Sequence, residues 1–146
     1  MTTPITAREI VAEARDAEQR KGANMGSIRR ILIVDDSATE RHMLSDLLTK
    51  AGYDVLASDN GEDAIVKARE VKPDLILMDV VMPGLNGFQA TRAISRDPVT
   101  KSIPVIMCTS KSQETDKIWG LRQGARDYVV KPVDRDELLA KISSLG

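Results

Sequence analysis

Two short runs, Ile31-Leu-Ile-Val34 and Leu75-Ile-Leu-Met78, are apolar throughout, and each stops at aspartate: Asp35-Asp36 in the first case, Asp79 in the second. Strict alternation would mark a strand wetted on one side, whereas an unbroken run of this length marks a strand covered on both. A third run, Ile103-Pro-Val-Ile-Met-Cys108, ends in the same way at Thr109. Strands of this kind need helices above and below them, which points to a parallel sheet in an α/β domain.

The segments between the runs supply those helices. Leu44, Leu47, Leu48 and Ala51 recur at helical spacing, and Gly52 follows as a stop signal. Tyr53 to Ala57 reads as a second strand, Asn60-Gly61 turns the chain, and Ala64, Ile65, Ala68 and Val71 mark a helix ending before Pro73. The alternation then continues with a helix from about Phe88 to Arg96, a strand from Pro104 to Met107, a helix from Thr115 to Gln123 and a strand from Asp127 to Val130. A last helix carries Leu138, Leu139, Ile142 and Leu145 on one side. The expected fold is a doubly wound five-stranded parallel sheet, (βα)5, over residues 29–146. Residues 1–28 fall outside the alternation and read as an extension: Thr6-Ala-Arg-Glu9 has the form of a capping box opening a short helix, and 21–27 reads as a flexible link.

With 146 residues, 42% of them hydrophobic, the chain can bury one ordinary core. Its 21 basic and 22 acidic residues leave a net charge of -1, so no global field draws it to nucleic acid or to an anionic membrane. The expected partners are proteins, with no direct nucleic-acid contact. No apolar run approaches the roughly 20 residues of a membrane span, and the amino terminus lacks a secretory layout, so no membrane insertion is expected. Cys108, the single cysteine, cannot pair within the chain and reads as a small buried hydrophobe. These features together lead us to expect a cytoplasmic protein.

Ligands of open parallel sheets bind beyond the carboxyl ends of the strands, where connections leave in opposite directions. Asp35, Asp36 and Asp79 all stand at such ends, and one αβα connection separates the first strand from the third, so the two can be neighbours. Three converging carboxylates require a compensating cation or a raised pKa. A metal and Lys131, which closes the fifth strand ahead of Pro132, are the candidates; Mg²⁺ suits such oxygen donors, and Thr109 adds a hydroxyl to the same rim.

Asp35-Asp36, Asp79 followed by Val80-Val81-Met82-Pro83 and Gly87, Thr109-Ser110, Tyr128 and Lys131-Pro132, taken in this order, resemble the receiver domains of bacterial response regulators. The stretch from Trp119 to Tyr128 is most similar to the small stand-alone regulators of chemosensory and twitching-motility pathways. The resemblance implies a flavodoxin-like strand order, 2-1-3-4-5. It implies that Asp79 is the phosphoacceptor, attacking the phosphohistidine of a histidine kinase of chemotaxis or hybrid type. It implies that Asp36, Asp79 and the Val81 carbonyl hold Mg²⁺ (or Mn²⁺), with Asp35 acting through a water. Lys131 and Thr109 would bind phosphoryl oxygens, Tyr128 would turn with Thr109 as a switch, and the Lys131–Pro132 bond would be cis. Output would pass to a downstream protein target, the chain having no enzymatic role beyond its own phosphorylation and slow dephosphorylation.

Two other classes fit less well. A haloacid-dehalogenase-like phosphatase needs Asp-x-Asp after the first strand, where this chain has Asp35-Asp36-Ser37; a flavin module needs a phosphate loop, which Ser37-Ala-Thr-Glu40 does not make. His42, among Glu40, Arg41 and Asp46, reads as a solvated residue. Trp119 shares a helix with Ile118 and Leu121 and either packs inward or stands exposed as a partner contact. Asn86, where many receivers have Asp, is expected to matter little.

Overall fold

A computed structural model describes residues 28–110 and 114–146. In chain order its elements are β1 (Arg30–Val34), α1 (Ala38–Lys50), β2 (Asp54–Ser58), α2 (Gly61–Val71), β3 (Leu75–Asp79), α3 (Gly87–Arg96), β4 (Val105–Thr109), α4 (Glu114–Gln123), β5 (Asp127–Val130) and α5 (Arg135–Leu145). The strands form one sheet in the order β2-β1-β3-β4-β5, every neighbouring pair parallel, which is the flavodoxin-like arrangement.

Alternation along each central strand deals its side chains to two cores. Ile31, Ile33, Leu75, Leu77 and Ile106 point to the side where Leu44 and Leu48 of α1 and Leu138 and Ile142 of α5 meet them. Leu32, Val34, Ile76, Met78 and Met107 point the other way, against Ala64 and Ala68 of α2 and Ala90 and Ile94 of α3. A fully buried side chain of this size contributes about 2 kcal/mol, so β1, β3 and β4 form the anchored centre of the fold. The small alanines let α2 and α3 approach the sheet closely.

Strand boundaries shift slightly from the sequence reading, for backbone reasons. The Tyr53 amide still donates to Leu48 O (3.0 Å) at the end of α1, so β2 begins at Asp54, whose amide donates to Arg29 O (2.8 Å). Pro104 has no amide to donate, and β4 runs instead from Val105 to Thr109, with Thr109 paired to Val130. The helix and link expected before residue 28 lie outside the described residues. Ile28 itself is buried and packs into the α1/α5 core.

Register then places the site. Val34 pairs with Ser58 and Met78, Asp79 with Cys108, and Thr109 with Val130, so the residues ending β1, β3, β4 and β5 come out on one rim. Capping side chains secure the helices that leave it: Ser37, Asn60, Asn86 and Asp134 each accept a backbone amide from the first turn of α1, α2, α3 and α5. Each cap is worth about 1 kcal/mol. Asn86 forms a reciprocal capping box with Gln89, a local role for the residue that stands where many receivers have Asp.

Candidate functional site

Asp79 is the last residue of β3 and is 7% exposed. The chain turns sharply after it and comes back at Gly87, whose amide donates to Val80 O at 2.9 Å. The turn is tight enough that only a residue without a side chain fits at Gly87, where a Cβ would lie 2.0 Å from the Asp79 carbonyl oxygen.

Asp35, 2% exposed, is held from several directions. Its Oδ1 accepts from the Ser37 amide at 2.9 Å, its own amide donates to Ser58 O at 3.1 Å, and its carbonyl oxygen accepts from Arg41 Nη1 at 2.7 Å. Asp36 stands exposed at the mouth. One oxygen from each of Asp35, Asp36 and Asp79 lies within 4.8 Å of the others.

Lys131 answers part of this negative charge. Its Nζ donates to Asp79 Oδ1 at 2.8 Å and to Asp35 Oδ2 at 3.0 Å, while its amide donates to Thr109 O at 2.8 Å. The Lys131–Pro132 bond is cis. Burial works against the Lys131 ammonium, but the hydrogen bonds it donates to Asp79 and Asp35 outweigh it and hold its pKa above the ordinary value. For Asp79, burial is the largest influence and raises the pKa; Lys131 opposes it, and the charges of Asp35 and Asp36 push the same way as burial.

Thr109 completes the rim with a hydroxyl that is buried and makes no hydrogen bond with a described residue. A buried polar atom without a partner is costly, so this hydroxyl keeps an unused capacity to hydrogen-bond. Behind it in β4, burial pushes the Cys108 thiol up to about 12, which makes it inert. Tyr128 lies half-buried on β5 between α4 and α5, with Lys117 Nζ 4.8 Å and Lys141 Nζ 5.3 Å from its ring centre. Val81, two residues beyond Asp79, is 71% exposed in the loop leaving β3.

The donor set suits a hard divalent cation: three carboxylates converge, and Asp36 remains open to solvent. Mg²⁺ fits this chemistry, and Mn²⁺ accepts the same donors. The rim therefore brings together Asp35, Asp36, Asp79 and Lys131, with Thr109 beside them; Tyr128 sits at a distance, on the helix side of β5. His42 is exposed on α1. Trp119 is 47% exposed because the next residue, Gly120, faces the sheet, where a Cβ would meet Met107 Cγ at 2.8 Å. Two positions escaped the sequence reading. Arg41 acts on a backbone carbonyl, which leaves no pattern of paired side chains to notice; Gly87 was seen only as part of a motif, and its close approach to Asp79 needed the fold.

Residues 31–143 match the response regulator receiver domain family, and the chain belongs to it. It is 59% identical over 116 residues to Protein PilH of Pseudomonas aeruginosa, covering 80% of this chain and 96% of that one. The fold is similar to the chemotaxis protein CheY4 of Vibrio cholerae, with a TM-score of 0.76 and 32% identity over 82% of this chain and 100% of that one. It is also similar to the receiver domain of a Pseudomonas aeruginosa sensor histidine kinase, solved with a magnesium ion coordinated in its active-site cleft, at a TM-score of 0.74 and 30% identity over 81% of this chain and 97% of that one. The chain is thus a receiver domain of a two-component response regulator. No helix among the described residues is long and apolar enough to cross a membrane.

Proposed function

We propose that Asp79 accepts a phosphoryl group from the phosphohistidine of a partner kinase, and that the chain passes the signal on by protein–protein contact. The observation that carries this reading is the arrangement around one carboxylate: Lys131 Nζ 2.8 Å from Asp79 Oδ1, two further aspartates within ligand distance, and a buried, unpaired Thr109 hydroxyl on the adjoining strand. In the transfer, an Asp79 oxygen attacks phosphorus in line, the P–N bond breaks, and the imidazole leaves with the bonding pair and takes up a proton.

Asp36, Asp79 and the Val81 carbonyl would hold Mg²⁺, with Asp35 acting through a water. The ion would neutralise charge on the phosphoryl oxygens. Lys131 keeps its proton, already bonds the acceptor carboxylate, and is placed to take a phosphoryl oxygen. The Thr109 hydroxyl gains its missing acceptor from another. A phosphoryl group adds about -1.5 to -2 charge but reaches no distant surface, so a two-state element must carry the change. Thr109 moving toward the phosphate and Tyr128 turning behind it would alter the face formed by α4, β5 and α5.

The likeness to Protein PilH supports a place in chemosensory or twitching-motility control, in the cytoplasm, with a kinase of chemotaxis or hybrid type upstream and a protein target downstream. Loss of the phosphoryl group by slow self-catalysed hydrolysis belongs to the same reading. Incubation with acetyl phosphate and Mg²⁺ tests it: mass spectrometry should find one added phosphoryl group on the wild type and none on Asp79→Asn. Equal labelling of both would overturn the assignment.

A further inference from the structure

Helices α3 and α4 come together near their carboxyl ends, where a Cβ at Gly124 would stand 2.1 Å from Ser95 Oγ. Above it a cavity of about 290 Å³ opens between the helices, lined by Asn86, Phe88, Gln89, Arg92, Trp119 and Gln123. Phe88 and Trp119 give it an apolar floor. Asn86 and Phe88 also line a second cavity, of about 480 Å³, that reaches Val80 and Ser110 beside the strand ends. The two cavities therefore adjoin at Asn86 and Phe88, one beside the strand ends and the other at Trp119.

Among the residues that line the two cavities Arg92 alone is charged, and it is exposed. It pairs with no described residue, and α3 contains no carboxylate. Trp119 together with Arg92 is the combination that anchors protein interfaces: a rigid aromatic surface beside a planar cation able to grip a carboxylate with two hydrogen bonds.

We propose that the α3–α4 groove is a docking site for an acidic amphipathic segment of a partner protein, an apolar side chain seated on Phe88 and Trp119 and a carboxylate paired with Arg92. This contact lies on the opposite side of α4 from β5 and α5, and it holds whether or not Asp79 accepts a phosphoryl group. A groove between two helices, with an apolar floor, admits the apolar face of a short amphipathic helix.

Trp119 is the single tryptophan of the chain, so its fluorescence reports the groove directly. The full chain, unphosphorylated, is titrated with a short helix-forming peptide carrying leucines at i, i+3, i+4 and i+7 and glutamates between them. A saturable blue shift is expected, with binding about tenfold weaker for the same peptide with lysines in place of glutamates. Arg92→Glu should reverse that preference, and Arg92→Lys should retain part of it. Because Arg92 is exposed, both variants should fold, as circular dichroism will verify. No saturation, equal affinity for the two peptides, or an unchanged preference in Arg92→Glu overturns the proposal.

Discussion

Gly87 and Asp79 touch backbone to backbone: a methyl group added at Gly87 would sit 2.0 Å from the Asp79 carbonyl oxygen and 2.9 Å from its carbonyl carbon. The first residue of α3 thereby fixes how the candidate phosphoacceptor leaves β3. Neither backbone segment can yield like a flexible side chain, so Gly87→Ala must move the β3–α3 turn. Overpacking of this sort costs about 3 kcal/mol. Urea denaturation should show that loss, and acetyl phosphate labelling of Asp79 should slow.

Stability should depend on Asp79 in a pH-dependent way. Its folded pKa is raised above the ordinary carboxylate value, with burial as the first cause, so ionisation opposes folding. The contribution of a group shifted in this direction is fully favourable below the unfolded pKa and is lost as pH rises through the folded value. Asp79→Asn, which cannot ionise, should therefore melt higher than the wild type at neutral pH. The two melting temperatures should converge as pH falls toward the unfolded carboxylate value. A gap that widens on acidification would contradict the burial argument.

Arg41 grips the Asp35 carbonyl at 2.7 Å and so fixes the loop that carries both Asp35 and Asp36. Supporting groups of this kind typically change metal affinity by 10-fold or more, so Arg41→Gln should weaken Mg²⁺ binding about tenfold in calorimetric titration. Arg41→Lys keeps a donor and the charge, and should recover part of the loss. A purely structural role would lower the melting temperature of Arg41→Gln and leave its Mg²⁺ affinity intact.

The unpaired hydroxyl of Thr109 gives a separable prediction. Replacing a buried polar atom that lacks a partner by a methyl of similar shape removes a penalty of about 1 kcal/mol or more. Thr109→Val should accordingly be as stable as the wild type, or more so, in urea. It should still take phosphate at Asp79, yet lose most of the beryllofluoride-induced change in the indole NMR signal of Trp119. A full response in Thr109→Val would show that the signal travels another way.

Much of this was legible in the sequence because burial on both faces leaves an unmistakable run: Ile31 to Val34 and Leu75 to Met78 gave their strands, and the polar residues ending them gave the rim. Edge strands carry a weaker signature. β2 has only Ser58 buried, and it begins one residue after Tyr53 because the Tyr53 amide bonds back to Leu48 O and closes the turn that follows α1. The setting of Trp119 could not be read from helical spacing, since the deciding feature is the fit of Gly120 against Met107 on another element. Arg41 was hidden for a similar reason: its partner is a carbonyl, which every residue has.

The bridge from Lys131 to Asp35 spans 96 positions, and that from Lys131 to Asp79 spans 52. Synthesis proceeds from the amino terminus at about 5–20 residues per second, so both aspartates leave the ribosome seconds before the lysine does. During that interval β1 and β3 can pair, but their terminal carboxylates face each other without the Lys131 ammonium. The acidic rim is thus electrostatically incomplete in every nascent chain that stops short of Lys131, and a cut before β5 removes the counter-charge along with the edge strand.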